Sequence, residues 1–264
     1  MQALQIHSRN IYENCEKAHM QCYVQARSHK LTMPPRPAVV IFPGGGYDYT
    51  SDREAEPVAN AYLAAGYSAF VVRYAVGADA KHPHPLLDAA AAVALLRARA
   101  EEFYIDPHKI AVCGFSAGGH LALSGAVLDI PGETAQQRPN AVILGYPVIT
   151  AGEFAHRGSF VQLAGSEDAA AQQVFTLEDK VTSDTPPVFV WHTMEDKTVP
   201  VENTLLLLAA LRRAGVPCEA HLFEKGAHGT SISTAEVDAA DPHRAHWVAL
   251  CLEWLGETFG FKLS

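Results

Sequence analysis

The chain has no cluster of lysine or arginine, and its overall charge is negative. Its 264 residues include 20 Lys and Arg against 29 Asp and Glu, a formal net charge of −9 at pH 7. Nucleic-acid binding requires clustered cations that displace counterions from phosphates, and a basic membrane-binding face requires the same residues on one surface. We therefore expect neither a nucleic acid nor a membrane as partner. Because an acidic surface repels anions, we expect a neutral small-molecule substrate.

Paired cysteines and long apolar segments are lacking too. The cysteines are irregularly spaced and form no C-x-x-C pair, which excludes a zinc ribbon and a dithiol redox motif. They are Cys15, Cys22, Cys113, Cys218 and Cys251. Cys113 and Cys218 fall in apolar runs and are predicted to be buried. This usage fits a reducing cytosol. Since there is no amino-terminal apolar signal segment and no run of about 18 apolar residues, we expect a cytoplasmic protein.

What the sequence does contain is an alternation of strand-like and helical patterns. Apolar residues make up 48% of the chain and charged residues 19%, which is enough for a full core. Short apolar runs such as AVVIF at 38–42 are typical of strands buried on both faces of a parallel sheet. The predicted strands are 21–25, at a sheet edge, then 38–42, 68–74, 109–114, 141–146, 187–192 and 218–223. The predicted helices are 51–66, 85–102, 116–128, 201–214 and 243–254.

This alternation predicts an α/β fold with a mostly parallel central sheet, helices on both faces and right-handed crossovers. We expect a single domain over residues 1–264. Residues 147–186 interrupt the alternation and mix Gly, Ser, Thr and Asp. We interpret them as a small insertion above the sheet, with a short helix near 169–175.

The first predicted helix carries recognisable end signals. Ser51 and Glu54 match a capping box at its start, and Gly66 is placed to cap its end. Pro57 is awkward inside such a helix, which moves its expected start toward Ala55.

The most informative segment is Gly114-Phe115-Ser116-Ala117-Gly118. It matches G-x-S-x-G, in which a tight strand-to-helix turn lifts a nucleophilic serine above the carboxyl end of a sheet. The context fits, because an apolar strand precedes the motif and an Ala- and Leu-rich helix follows it. Ser116 is therefore predicted to be the nucleophile of a hydrolase.

A serine hydroxyl needs a base, and His228 is the best candidate among 13 histidines. It lies in Lys225-Gly226-Ala227-His228-Gly229, a loop that follows the last predicted strand. His120 lies one helical turn after Ser116 and cannot easily face its hydroxyl. His192 and His221 fall within strands, where packed or structural roles are expected.

The third residue must orient the imidazole and offset its developing charge. Asp196 follows the strand that ends near His192, and it gives the chain order Ser, Asp, His that α/β-hydrolases have. Glu195 remains a rival, and Asp184 is a weaker one.

The transition state also needs N–H donors that form an oxyanion hole. One donor is expected from Ala117, the residue after the nucleophile. The other is expected from Gly45 or Gly46 in the Pro43-Gly44-Gly45-Gly46-Tyr47 loop, because glycines let the backbone approach a ligand closely. The loop fits neither G-x-G-x-x-G nor a P-loop, and no metal-binding motif is present, so we expect no cofactor and no metal.

Several aromatic side chains near these motifs are candidates for the substrate pocket. Tyr47 follows the glycine loop directly and is the best of them. Tyr49, Tyr146 and Trp191 are further candidates, although core packing accounts equally well for the last two.

Together these motifs resemble the esterase/lipase branch of the α/β-hydrolases, near its hormone-sensitive-lipase-like and acetyl-xylan-esterase-like members. The resemblance covers roughly residues 38–230 in the family's order. It rests on Phe42–Tyr47, His84–Asp88 (HPLLD), Gly114–His120 (GFSAGGH), Trp191–Thr193 with Asp196, Val199 and Pro200, and Gly226–Gly229.

The chain departs from that pattern in two ways. Pro43 replaces the histidine of the HGGG motif, and amino-terminal cap helices are missing. In this it is more similar to small bacterial esterases that remove acetyl groups from xylan or related sugars. The resemblance thus implies an open, shallow site and short acyl groups.

The predicted activity is serine carboxylesterase action through an acyl-enzyme. An amidase or formamidase would use the same three residues, and so would a peptidase, although peptidases of this fold usually carry a large extra domain. The alternative that is not an enzyme is a non-catalytic binding module on a hydrolase scaffold. The sequence does not fix the oligomeric state, and a homo-oligomer stays open.

Overall fold

A single eight-stranded sheet organises the structure, a computed structural model that describes residues 4–10, 18–130 and 135–262. In spatial order the strands run β1-β2-β4-β3-β5-β6-β7-β8. The first two pair antiparallel, and the remaining six are mutually parallel. The strands are β1 (Leu4–Asn10), β2 (His19–Gln25), β3 (Arg36–Phe42), β4 (Ser68–Arg73), β5 (Ile105–Phe115), β6 (Ala141–Gly145), β7 (Val188–Thr193) and β8 (Cys218–Phe223).

Helices cover both faces of this sheet, which confirms the predicted fold class. They are α1 (Glu56–Ala64), α2 (His84–Ala98), α3 (Ala100–Phe103), α4 (Ala117–Val127), α5 (Arg157–Ala164), α6 (Ala169–Gln173), α7 (Glu202–Ala214) and α8 (Pro242–Phe259). Within the described residues, no helix is both long enough and apolar enough to cross a bilayer.

Side chains of the central strands alternate between two apolar cores. On β3, Val39 and Ile41 join a core with α1 and α8, whereas Val40 and Phe42 join a core with α2, α4 and α7. Val40 lies in register with a buried residue of β4 on one side and of β5 on the other. This burial on both faces is the reason the strand reads as one unbroken apolar run.

Two expectations about the amino-terminal half are wrong. Segment 21–25 belongs to β2, which is not an edge strand, because β1 pairs with it over seven residues. The capping box also fails: Ser51 makes no cap hydrogen bond, residues 52–54 form a 3₁₀ turn, and α1 begins at Glu56. Pro57 fits there, since the first turn of a helix needs no N–H from it. Gly66 does follow the helix end with a positive φ of 92°.

Other boundaries differ for identifiable reasons. The helix expected over 85–102 is interrupted at Arg99, whose φ and ψ of −114° and 25° separate α2 from α3. Cys113 is buried as predicted, but Cys218 is exposed because β8 is the last strand of the sheet. Cys15 lies outside the described residues.

The insertion contains two helices, of which only α6 was expected from the sequence. Phe160 and Leu163 of α5 are buried in the same core as α2 and α4. The insertion is therefore packed onto the sheet's helical layer, and α5 lies beside the loop that follows β3.

Candidate active site

Ser116 occupies a sharp turn between β5 and α4. Its φ and ψ are 54° and −122°, a conformation that costs free energy for any residue with a side chain. The flanking glycines are required because a side chain at either position would clash with the backbone. A Cβ on Gly114 would lie 2.1 Å from the carbonyl oxygen of Gly118, and a Cβ on Gly118 would lie 2.0 Å from the carbonyl oxygen of Phe42. The turn thus brings helix and sheet together closely enough to present the serine at the sheet's carboxyl edge.

Three side chains predicted from distant motifs meet at this edge. Ser116 Oγ lies 2.8 Å from His228 Nε2, and His228 Nδ1 lies 2.6 Å from Asp196 Oδ2. They follow β5, β8 and β7, whose carboxyl ends lie at the same edge of the sheet because these strands are parallel; β6 lies between β5 and β7. Since Nδ1 faces a carboxylate it carries the proton, which leaves Nε2 free to accept the serine proton.

The Asp196 carboxylate is ionised and accepts several hydrogen bonds. Its Oδ1 accepts the N–H groups of Thr198 (2.9 Å) and Val199 (3.0 Å). Burial alone would raise the pKa of this carboxyl, but hydrogen bonds from His192 and His228 and the charge of His228 lower it well below its ordinary value. The side chain is fully shielded from solvent.

His192 is a second histidine on the same carboxylate, and sequence reasoning gave it no part in the site. Its Nε2 lies 3.3 Å from Asp196 Oδ2 and 3.0 Å from the carbonyl oxygen of Val199, while Nδ1 lies 2.8 Å from Thr204 Oγ1. Because Nε2 faces two acceptors it must carry the proton. His192 is buried in β7, as the expected structural role requires, and its Nε2–H helps to hold the Asp196 carboxylate in place.

The two rival acids lie elsewhere. Glu195 is exposed, and its Oε2 accepts the N–H of Gly226 at 3.2 Å. Asp184 is exposed in the loop before β7 and interacts with Thr182.

The glycine loop after β3 borders the serine as predicted. The N–H of Gly44 is occupied, because it donates to Glu54 Oε2 at 2.7 Å. Gly45 and Gly46 have φ values of 128° and 66° and line the cleft together with Ser116 and His228. Ala117 is the first residue of α4, where an N–H has no partner within the helix. Gly45, Gly46 and Ala117 therefore remain the candidate oxyanion donors.

The cleft above Ser116 has a volume of about 490 Å³ and is open to solvent. Its lining contains no aliphatic side chain and no lysine. The residues are Gly45, Gly46, Asp48, Tyr49, Ser51, Arg53, Glu54, Ser116, His156, Gly158, Gln162, Thr198, His228 and Gly229. Across the described ranges, no group of three His, Cys, Asp or Glu side chains is arranged as a metal site requires.

Two protein-family models match the chain. The model of the prolyl oligopeptidase family matches residues 87–261, and the BD-FAE model matches residues 22–143. Among solved structures, an acetyl ester-xyloside bifunctional hydrolase from Caldicellulosiruptor lactoaceticus superposes with a TM-score of 0.84. It is 37% identical, over 97% of each chain.

This chain belongs to the esterase branch of the α/β-hydrolase superfamily. Among curated proteins, it is 36% identical to endo-1,4-beta-xylanase B of Butyrivibrio fibrisolvens over 76% of its own length. It is 31% identical to an acetylxylan esterase of Xylanibacter ruminicola over 83%. The chain spans 33% and 45% of the lengths of these two relatives.

Glu54 is a buried residue of this α/β-hydrolase that sequence reasoning misread as a helix cap. Besides Gly44, it accepts the hydroxyl of Tyr146 at its Oε1 (2.6 Å), and Tyr146 in turn accepts the N–H of Ser231 (2.9 Å). The Tyr146 ring lies 4.9 Å from the His228 ring, centroid to centroid. Burial raises the pKa of Glu54, and the hydrogen bonds from Tyr146 and Gly44 oppose that rise. The carboxyl group thus connects the glycine loop to the loop that carries His228.

The tyrosine expected to line the hydrolase pocket does not do so. Tyr47 is 1% exposed, and its hydroxyl lies 2.9 Å from His120 Nδ1, in the core below the cleft. Its positive φ of 63° accompanies a side chain packed against Tyr74 and His120. Tyr49, at 59% exposure, lines the cleft instead. Tyr146 and Trp191 are buried in the core.

Proposed function

We propose that this chain is a serine carboxylesterase that hydrolyses short-chain acyl esters through an acyl-enzyme. One observation carries the proposal: a serine, a histidine and an aspartate are hydrogen-bonded in series beside candidate N–H donors of a glycine loop. The roles of Ser116, His228 and Asp196, and of Gly45, Gly46 and Ala117, follow from that arrangement.

In the first step, Ser116 Oγ attacks the ester carbonyl carbon while His228 Nε2 takes the hydroxyl proton. The carbonyl oxygen becomes an oxyanion, and N–H groups of Ala117 and of Gly45 or Gly46 donate to it. Asp196 holds the imidazole through Nδ1 and stabilises its positive charge. As the tetrahedral intermediate collapses, His228 gives its proton to the departing alcohol, and the acyl group stays on Ser116.

In the second step, water attacks the acyl-enzyme. His228 takes a proton from the water, the same N–H groups stabilise the second oxyanion, and the serine oxygen leaves with that proton. The products are a carboxylic acid and the regenerated serine, so the cycle consumes one water per ester bond.

The cleft suits small acyl groups and a polar alcohol. Without an aliphatic lining it offers little burial to a long hydrocarbon chain, whose affinity depends on apolar contact. Two similar proteins are an acetylxylan esterase and an acetyl ester-xyloside hydrolase, which supports acetyl groups on carbohydrates as substrates here. A net charge of −9 favours a neutral ester.

Hydrolysis of 4-nitrophenyl acetate by the purified protein and by its Ser116→Ala variant tests this proposal. We expect loss of turnover by at least about 10³-fold, because no other group replaces the nucleophile. Ser124→Ala, which removes a buried hydroxyl from the same helix, is the matched control and should keep most of the activity. Retained turnover in Ser116→Ala, or faster cleavage of acetanilide than of the ester, would refute the assignment.

A further inference from the structure

One wall of the cleft comes from the insertion and contributes two polar side chains. His156 directly precedes α5, and Gln162 lies on that helix; both line the cleft together with Ser116 and His228. An acetyl group at Ser116 fills only a small part of a cleft of about 490 Å³. The remaining space must therefore hold the alcohol portion of the ester.

The His156 ring lies against the glycine loop, and only one of its two nitrogens is hydrogen-bonded within the described residues. A Cβ built on Gly46 would lie 3.8 Å from His156 Cε1. Nδ1 lies 2.8 Å from Ser159 Oγ, a hydroxyl with no exposure, while Nε2 makes no hydrogen bond to any part of the chain that the structure describes. A substrate hydroxyl can both donate and accept, so it can pair with Nε2 in either tautomer.

Charge around His156 favours a neutral partner. Burial lowers the pKa of this imidazole, and the charge of His228 lowers it further, while Asp196 opposes both effects. A neutral ring fits an alcohol better than it fits a carboxylate or a phosphate.

The one cationic side chain among the residues that line the cleft is already engaged. Arg53 donates Nε to the carbonyl oxygen of Val237 at 2.9 Å, and its charge interacts with the carboxylate of Glu54. Together with the absence of lysine from the lining, this leaves an anionic alcohol without a dedicated partner.

Gln162 supplies a second pair of polar atoms on the same wall. Its Nε2 lies 3.4 Å from Asp48 Oδ1, at the limit of a hydrogen bond, so a ligand hydroxyl can replace that contact at little cost. Tyr49, which is 59% exposed, adds an aromatic face to the same cleft.

We infer that His156 and Gln162 form a subsite that binds hydroxyl groups of the alcohol portion of the ester, and so select esters of carbohydrates and similar polyols. This inference rests on the proposed esterase function and adds the residues that set its alcohol specificity. It also gives the insertion a role in the site.

Two esters that differ only in hydroxyl groups test the subsite: glycerol 1-acetate and propyl acetate. The acyl group and the three-carbon alcohol are the same, so the ratio of their kcat/KM values isolates hydroxyl recognition. The wild type should prefer glycerol 1-acetate. His156→Ala should reduce this ratio about 5- to 10-fold, as expected for one lost hydrogen bond, and Gln162→Ala should reduce it about 2- to 5-fold.

His221→Ala is the matched control, because His221 is also half-buried with one side-chain partner but lies on β8, outside the cleft lining. It should leave the ratio unchanged. If His156→Ala does not fold, His156→Asn and Gln162→Ala provide the same readout.

A wild-type ratio of one or below, or equal losses on both esters in the folded variants, would overturn the subsite. A wild type that cleaves neither ester nor 4-nitrophenyl acetate would instead overturn the proposed esterase function, so the two failures are distinguishable.

Discussion

A single oxygen of Asp196, Oδ2, accepts hydrogen bonds from two histidines. His228 approaches it at 2.6 Å and His192 at 3.3 Å. The other oxygen is held by two backbone N–H groups. Such a carboxylate has little freedom to rotate, so the imidazole of His228 is held with Nδ1 protonated and Nε2 toward the serine.

Replacing this carboxylate by an amide should remove that control. In Asp196→Asn the amide can present its NH₂ group to His228 Nδ1, which favours the wrong tautomer and abolishes the base. We expect kcat for 4-nitrophenyl acetate to fall about 10³- to 10⁴-fold. Glu195→Gln, at the neighbouring exposed carboxylate, should lower it less than about 3-fold. Comparable losses in both variants would argue against Asp196 as the acid.

Glu54→Gln should act on the glycine loop without touching the nucleophile. An amide can accept from only one of the two donors, Gly44 N–H and Tyr146 O–H, that the carboxylate now satisfies. We expect kcat to fall about 10- to 100-fold, part of the cost of losing an oxyanion donor, with KM changed less than about 3-fold.

The same variant should lose about 1–3 kcal/mol of unfolding free energy in urea, because a buried donor is left unsatisfied. Glu253→Gln, at an exposed carboxylate on α8 outside the cleft lining, is the control and should change neither quantity appreciably. A folded Glu54→Gln variant with unchanged kcat would show that the loop holds its shape without this carboxylate.

At the scale of single residues, the sequence predicted only those site residues that belong to recognisable motifs. Ser116, His228 and Asp196, which the structure brings into hydrogen-bond contact, could be proposed from the sequence because each follows a strand and the three occur in the chain order typical of the fold. Glu54 was missed because a polar residue three positions after a serine fits a capping box equally well. Tyr47 was misplaced because adjacency to a glycine loop does not reveal on which side of the loop a side chain lies.

At the scale of elements, the turn between β5 and α4 depends on a close approach of α4 to β3. Gly118 approaches the carbonyl oxygens of Phe42 and Pro43, so β3 and α4 are in backbone contact there. This contact brings the glycine loop after β3 next to the first turn of α4, and these two segments carry the candidate oxyanion donors.

Alanine at two glycines of the same helix should give opposite results. Gly118→Ala places a Cβ 2.0 Å from the Phe42 carbonyl oxygen, and the chain cannot accommodate it without moving β3 or α4. We expect a loss of at least about 3 kcal/mol in urea unfolding and a loss of activity. At Gly125 a Cβ would meet nothing within 4 Å, so Gly125→Ala should gain about 0.5–1 kcal/mol. A tolerated Gly118→Ala would contradict the close approach.

Elements buried on both faces were predictable, because β3, β4, β6, β7 and the 110–115 part of β5 each contain a continuous apolar run. The position of β2 was not, since whether a strand lies at the edge depends on a partner formed by distant residues. Helix α5 was missed because its sequence, RGSFVQLA, is short and has a glycine near its start. Its burial comes from packing against the core, which local propensity does not encode.

At the scale of the whole molecule, His120 joins three separate parts. Its Nδ1 pairs with the Tyr47 hydroxyl in the glycine loop at 2.9 Å, and its Nε2 donates to the carbonyl oxygen of Phe175 in the insertion, also at 2.9 Å. The ring itself lies on α4, with no exposure. Burial lowers the pKa of His120 to about 4, and the bond to Phe175 only partly opposes this.

This buried imidazole should make stability depend on pH. Between about pH 6.5, where an unfolded histidine titrates, and about pH 4, where the folded one does, the unfolded chain binds the extra proton. Stability is therefore fully present above that window and is lost as pH falls through it. For His120 alone, this amounts to about 2–3 kcal/mol less unfolding free energy in urea at pH 4.5 than at pH 7.5.

In His120→Gln, which does not titrate, that pH dependence should be much shallower, although the variant is less stable overall. Burial lowers the pKa of His19, His82 and His156 too, which adds slope of the same sign, whereas it raises the pKa of Glu54 and Glu178, which opposes that slope. An undiminished slope in His120→Gln would assign the effect to other groups.

Covalent labelling of Ser116 tests most directly whether this serine is an activated nucleophile. The protein is treated with a fluorophosphonate, which reacts with serines that a neighbouring base activates, and the adduct is located by peptide mass spectrometry. A single adduct on Ser116, greatly reduced in His228→Ala, is the predicted result. An unmodified Ser116 in a protein that still hydrolyses 4-nitrophenyl acetate, or an adduct on another residue, would contradict it.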